Sequence, residues 1–330
     1  MKKRVLSGMR PTGQLHLGHL SGALKNWAEL QNRYDCFYFV ADWHALTSDY
    51  ASTEDLTDYA LDNVTDWMAA GLDPERSTFF IQSRVPEHAE LYLLLSMVVP
   101  TPWLERVPTY KEQIDALTDL DLSTIGFLGY PLLQAADIIM YGAHYVPVGE
   151  DQVPHLELTR EVVRRFQGFY GQVFVEPQPL LTHFPRLPGL DNRKMSKSYG
   201  NTIDLADDAE TVRKKIMKMY TDPKRVRADI PGTVEGNPVF MYHDAFNPKI
   251  DEVDDLKTRY RAGTVGDVEV KQKLVTCLNE MLDPIRERRT ELLAHPKKIR
   301  EILFDGSSTA RRVAKETMAR VREAVNLSYE

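Results

Sequence analysis

Arg4-Val5-Leu6-Ser7-Gly8-Met9-Arg10-Pro11-Thr12-Gly13-Gln14-Leu15-His16-Leu17-Gly18-His19 is the stretch on which the fold turns. Arg4–Leu6 reads as a strand, Ser7–Gln14 as a loop, and the residues beyond as a helix. That helix carries Leu20, Leu24, Trp27 and Leu30 at three- and four-residue spacing, one apolar stripe. A strand leading through a glycine-bearing loop into a helix N-terminus belongs to parallel α/β sheets. Free N–H groups and partial positive charge there suit a phosphate. Gly8 and Gly13 suggest a Walker loop, but Gln14-Leu15 follow where Lys and Ser/Thr are needed. No G-x-G-x-x-G occurs either. Instead His16 and His19 flank Gly18. Three apart at a helix start, they share a face. An imidazole can donate to a phosphate oxygen, and a glycine lets a flat ring lie against the backbone. A zinc pair or two surface histidines would use the same residues, although zinc wants further His or Cys ligands nearby.

Outward from this stretch, Cys36–Ala41, Thr78–Gln82 and Val146–Val148 read as further buried strands. Ser52 or Thr53 caps a helix running to about Ala70. Buried strands alternating with helices predict an α/β fold, a Rossmann-like parallel sheet with helices on both faces. About 86–142 is mostly helical in pattern and reads as an insertion between halves of the sheet. After about 204 the strand signals stop. Helices are expected over Asp207–Tyr220, Asp251–Arg261, Asp267–Leu293 and Ser308–Asn326. The expected units are 1–203, with the insertion and a loop at 185–203, an all-helical 204–305, and a C-terminal helix at 306–330.

The 330 residues are 43% hydrophobic and 27% charged, ordinary for a globular protein with a sizeable core. No run of about 18 apolar residues exists to span a membrane. The basic start is followed by too few apolar residues for a signal peptide. Cys36 and Cys277 are the only cysteines. A cytoplasmic protein with reduced thiols is expected. The net charge of −7 is uneven: −8 over 1–203 and +1 over 204–330. A basic stripe, Arg213, Lys214, Lys215, Lys218, Lys224, Arg225 and Arg227, could meet phosphates or form a solvated helix face.

Two further constellations carry chemistry. Arg193-Lys194-Met195-Ser196-Lys197-Ser198-Tyr199-Gly200 puts two lysines three apart in a Gly/Ser-bearing loop, after Pro185–Leu190. A transferring phosphate needs such positive groups; a plain basic loop has the same spacing. In Tyr130-Pro131-Leu-Leu-Gln134-Ala-Ala-Asp137-Ile-Ile-Met-Tyr141, Pro131 suits a first helical turn. Tyr130, Gln134 and Asp137 fall on one face of an otherwise apolar helix. Buried, that polar face needs partners, supplied either by a polar ligand or by an internal hydrogen-bond network.

Together these residues resemble the class I aminoacyl-tRNA synthetases. His16-Leu-Gly-His19 matches the H-x-G-H signature of that class, and Lys194-Met-Ser-Lys-Ser198 matches K-M-S-K-S letter for letter. Within the class the chain is most similar to the tryptophanyl enzymes, in Ser7–Gly13, Asp42–Thr47, Tyr130–Ile138 and Pro147–Arg160. The resemblance covers nearly the whole chain. It implies that L-tryptophan is activated with ATP, accompanied by Mg2+, and transferred to the 3′ end of tRNA(Trp). His16, His19, Lys194 and Lys197 would be catalytic. ATP would meet Met9, Arg10, Thr12, Gly18, His19, Gly149, Asp151, Lys194, Met195, Ser196 and Lys197. The amino acid would meet Leu6, His44, Tyr130, Gln134, Asp137, Val146, Val148 and Gln152, with Asp137 accepting the indole N–H. The region after 204 would read the anticodon, and the insertion would form a homodimer.

Three departures matter. Gln134 makes the helix read Y-x-x-x-Q-x-x-D, which is also similar to the tyrosine-binding helix of tyrosyl-tRNA synthetases, the alternative reading. Those enzymes place a Tyr near the end of strand one, where Leu6 stands here. Arg10 occupies a position where many relatives carry Gln; contact with the α-phosphate and a surface role both stay open. The region in which some relatives hold an iron–sulfur cluster, Asn237–Phe240 to Asp267–Lys273, has no cysteine, so neither that cluster nor another resident metal is expected. A small-molecule nucleotidylyltransferase would not need the helices after 204. A non-enzymatic scaffold would not need His16, His19, Lys194 and Lys197.

Overall fold

The computed structural model describes residues 2–108, 110–111, 121–181, 187–195 and 199–329. Among them, β1 (Arg4–Met9), β2 (Asp35–Val40), β3 (Ser77–Ile81), β4 (Tyr145–Val148) and β5 (Gln178–Leu181) form one parallel sheet in the order β3-β2-β1-β4-β5. Val5 stands opposite Cys36 on one side and Tyr145 on the other. β5 was not expected. Its Gln178-Pro179-Leu180-Leu181 contains a proline, which a sheet tolerates at an edge, and it stays partly exposed. The strand order reverses between β1 and β4, so the crevice beyond their carboxyl ends is where a ligand belongs.

The helix after β1 comes in three turns of different pitch: α1 (Leu17–His19), a π-helical turn at Leu20–Leu24, and α2 (Lys25–Leu30). Leu20, Leu24, Trp27 and Leu30 are all buried along it, the expected stripe. α3 (Asp42–Asp49) follows β2, and α4 (Leu56–Ala69) leads to β3. Neither Ser52 nor Thr53 caps α4. Thr53 closes a turn onto Leu56, and Asp55 takes the N-cap position. α5 (Glu87–Ser96), α6 (Thr101–Glu105) and α7 (Ile125–Met140) make up the described part of the insertion. α7 starts earlier than Pro131 predicts: the Thr124 hydroxyl accepts from Phe127 N at 3.1 Å, and Pro131 lies inside the helix. α8 (Val153–Tyr170) joins β4 to β5.

Beyond 204 lie α9 (Ala209–Met217), α10 (Pro238–Phe246), α11 (Ile250–Ala262), α12 (Asp267–Leu293) and α13 (Pro296–Ala324). α10 was not foreseen, and α13 begins at Pro296, well before Ser308, so it runs unbroken through the 305/306 boundary. Two apolar clusters sandwich the sheet. One joins α2 and α4 to α10 and α12, and the other lies under α5, α7 and α8 with the end of α13. Polar links tie α12 to α4: Arg289 Nε donates to Asp66 Oδ1 at 2.7 Å, Arg289 also pairs with Asp62, and Arg288 Nε reaches Ala69 O at 2.7 Å. No described helix is long and apolar enough to cross a membrane.

The basic stripe divides. Lys215 pairs with Asp204 at 3.2 Å and with Asp207 at 2.5 Å. Arg225 is buried, donating to the carbonyls of Ile230, Ala228 and Val265, and lies over the Tyr260 ring. Those two hold the fold together, while Lys214, Lys218 and Lys224 are exposed.

Candidate active site

A cavity of about 440 Å³ opens at the switch point between β1 and β4. Leu6, Ser7 and Gly8 of β1 form one wall, and Val146, Pro147 and Val148 of β4 the facing one. The polar face of α7 supplies Tyr130, Gln134 and Asp137, α3 brings His44, and Gln152 closes the end. All eight residues expected around an amino acid thus line a single cavity, together with Arg10 and Gly149. Gly8 is needed for clearance, as a β-carbon there would sit 2.4 Å from the Phe39 ring.

Asp137 is the cavity's buried charge, at 1% exposure. Burial by itself would raise its pKa. His88 and His44, through charge and hydrogen bonds, outweigh that and hold it down to about 2. His44 Nε2 lies 2.8 Å from Oδ2, His88 Nδ1 2.6 Å from Oδ1, and Gln82 Nε2 donates to both oxygens at 2.9 Å. Gln82 and His88 were missed by sequence reasoning. The available signal was a glutamine closing the apolar strand Phe79-Phe80-Ile81 and a histidine beginning an apolar helix, positions that call for a buried partner. His155, also missed, lines the cavity with its ring 5.6 Å from that of Tyr130. Burial pushes its pKa down to about 4, so the imidazole is neutral near pH 7.

The H-x-G-H segment is built by local geometry. His16 caps α1: its Nδ1 accepts from Gly18 N at 3.1 Å, and its own N donates to His19 Nδ1 at 3.1 Å. The rings lie 3.9 Å apart. Gly18 is tightly enclosed, and a β-carbon there would meet the His16 ring at 2.9 Å and Met195 Sδ at 3.0 Å. The two signatures are therefore brought together. Backbone bonds Leu17 N to Ile203 O at 2.9 Å and Leu205 N to Leu15 O at 2.8 Å lay the chain after the second signature along the first.

The stem of the second signature is pinned by Asn201, whose Nδ2 donates to Asp191 Oδ1 at 2.8 Å and to Lys194 O at 3.1 Å. Lys194 is exposed. Ser196 and Lys197 lie outside the described residues. Met9 ends β1 and accepts from Ala41 N at 2.9 Å, and Thr12 is exposed in the following turn. Asp151 is exposed just beyond β4, where Gln152 Nε2 donates to it at 3.1 Å. Arg10 is no loose surface residue: its guanidinium, its pKa lowered by burial, bonds Ser48 and lies 3.3 Å from Asp49 at the rim of the cavity.

The whole chain is similar to known proteins. The profile of tRNA synthetases class I (W and Y) matches residues 1–283. A tryptophan–tRNA ligase of Thermotoga maritima is 50% identical over 99% of this chain and 100% of its own length. One from Treponema pallidum is 50% identical over 98% and 97%. A crystal structure of tryptophanyl-tRNA synthetase from Campylobacter jejuni complexed with ADP and tryptophan superposes with a TM-score of 0.87 at 34% identity, covering 98% of this chain and 99% of that one. A tyrosyl-tRNA synthetase from Archaeoglobus fulgidus is more distant, at 0.67 and 25% over 87% and 90%. The chain belongs to the class I tRNA synthetases, on their tryptophan–tRNA ligase branch.

Proposed function

We propose that the chain activates L-tryptophan with ATP to tryptophanyl-adenylate and pyrophosphate, then transfers it to the 3′ end of tRNA(Trp). The observation that carries this is Asp137, a buried, ionised acceptor in a cavity walled by Leu6, Phe39, Ile138, Val146 and Val148 on its apolar side. An ionised carboxylate only accepts and an indole N–H only donates, so the two match. Tyr130 and Gln152 hold the α-amino group, and Val146 and Val148 flank the ring. His16, Gly18 and His19 seat the nucleotide, Asp151 binds its ribose beside Gly149, and Lys194 and Lys197 stabilise the leaving pyrophosphate. The substrate carboxylate attacks the α-phosphate in line, so positioning and charge do the work and no covalent enzyme intermediate is required. Magnesium enters as part of the nucleotide substrate. No group of three or more metal-ligating side chains occurs among the described residues.

The helices after 204 contact the anticodon. Exposed Leu93 on α5, Met97 just after it and Ile125 on α7 support a homodimer through the insertion. The test is charging of tRNA(Trp) with labelled amino acids. Tryptophan should be transferred and tyrosine should not, and transfer of tyrosine to its own tRNA instead would refute the reading.

A further inference from the structure

Asp137 faces the cavity with its acceptor positions already in use. A carboxylate offers about four lone-pair sites. Gln82 Nε2 lies between the two oxygens, 2.9 Å from each. His88 Nδ1 takes Oδ1 and His44 Nε2 takes Oδ2. These donors are not equivalent. Gln82 and His88 have no exposure and do not line the cavity. Each is locked from behind: Trp43 N donates to Gln82 Oε1 at 3.2 Å, and the Tyr141 hydroxyl meets His88 Nε2 at 2.7 Å. With that hydroxyl donating, His88 holds its proton on Nδ1, facing Asp137. Only His44 lines the cavity, its side chain 11% exposed.

A ring N–H arriving from the cavity has one position to take. We propose that His44 is an exchangeable cap on Asp137, displaced from Oδ2 by the ring N–H of the substrate while Gln82 and His88 keep the carboxylate fixed. This rests on the tryptophan reading. The cap keeps the buried anion fully paired in the free enzyme. It also changes the discrimination argument, because a ligand without a ring donor leaves His44 in place instead of leaving Asp137 unpaired. His44 therefore sets how much the indole N–H is worth, and removing it should make that hydrogen worth more.

The test compares L-tryptophan with β-(benzothiophen-3-yl)-L-alanine, in which sulfur replaces the ring N–H, by calorimetric binding to the full chain. His44→Leu puts an apolar side chain of comparable size in place of the imidazole and removes the donor. The tryptophan-over-analogue affinity ratio should rise by about tenfold, the worth of one hydrogen bond to a charged group left unpaired. A ratio that stays or falls would overturn the cap. In wild type, the ¹⁵N resonance of His44 Nε2 should shift with tryptophan and hold with the analogue, while His88 Nδ1 holds with both. Equal shifts of His44 with both ligands would overturn it too. If wild type bound no tryptophan, the amino-acid reading would fail and take the cap with it. Tryptophan binding without the change in ratio sinks the cap alone.

Discussion

At Gly18 there is no room for a β-carbon, because the His16 ring and Met195 Sδ already occupy the space. Gly18→Ala must shift the His16 ring and Met195, side chains of the two signatures proposed to bracket the nucleotide. A displacement near 1 Å would cost about 10²-fold in an aligned reaction, which sets the upper bound for the shift of a few tenths of an ångström required here. The expected result is a loss within that bound in kcat/KM for ATP with unchanged affinity for tryptophan; an unchanged ATP dependence would show that the contact is idle. His155 gives a pH prediction. Its folded pKa, about 4, lies below the ordinary value of about 6.5. Between those values the unfolded chain binds a proton that the folded chain refuses. Stability is therefore full above about pH 6.5 and falls as pH drops towards 4, by about 3 kcal/mol at most. His243, its pKa lowered by burial, adds in the same direction. Urea unfolding at pH 7 and pH 5 should show a smaller loss in His155→Gln than in wild type. An equal loss would mean that His155 is protonated in the fold. At this scale sequence reading found the residues that stand at a signature or on a helix face. It missed Gln82, His88 and His155, which act through neighbours 25 to 55 positions away on other elements, where spacing along the chain carries no signal.

Among elements, α13 does more than finish the chain. It lies along β3, the open edge of the sheet, where Ser307 Oγ accepts from Ile81 N at 3.2 Å. At Gly306 a β-carbon would sit 1.8 Å from Phe79 O, backbone that cannot swing aside. Gly306→Ala should cost about 1–3 kcal/mol through overpacking, read as a lower midpoint in urea unfolding. Gain of stability, as for a helix exposed to solvent, would show that α13 does not seat on the strand. The same glycine weakens the helix signal, so the sequence predicts a start at Ser308, beyond it, when the helix begins at Pro296. β1 to β4 were legible because each is a buried apolar run. β5 was not, because Pro179 and partial exposure hide it. α7 was legible as a polar-faced helix, but its start was not, since Thr124 caps it ahead of Pro131.

For the whole molecule, the α/β region and the later helices share one apolar cluster and the Arg289 pairings with Asp62 and Asp66. Sequence gave their order and class but not these contacts, which join residues more than 200 positions apart. The same contacts sort the basic stripe. Lys214→Glu with Lys218→Glu changes exposed charge only, so tRNA charging should weaken and lose part of its salt dependence while amino-acid activation stays intact. Lys215→Glu should impair activation as well, because Lys215 holds Asp204, whose backbone forms a β-bridge with that of His16. Loss of activation in the double variant would make the stripe structural. The most direct test of the central claim is pyrophosphate exchange into ATP by the wild-type chain with each of the twenty amino acids. Tryptophan should drive exchange faster than every other amino acid, tyrosine and phenylalanine included, as expected of a cavity whose buried carboxylate is matched to an indole N–H. Faster exchange with tyrosine than with tryptophan would contradict the account.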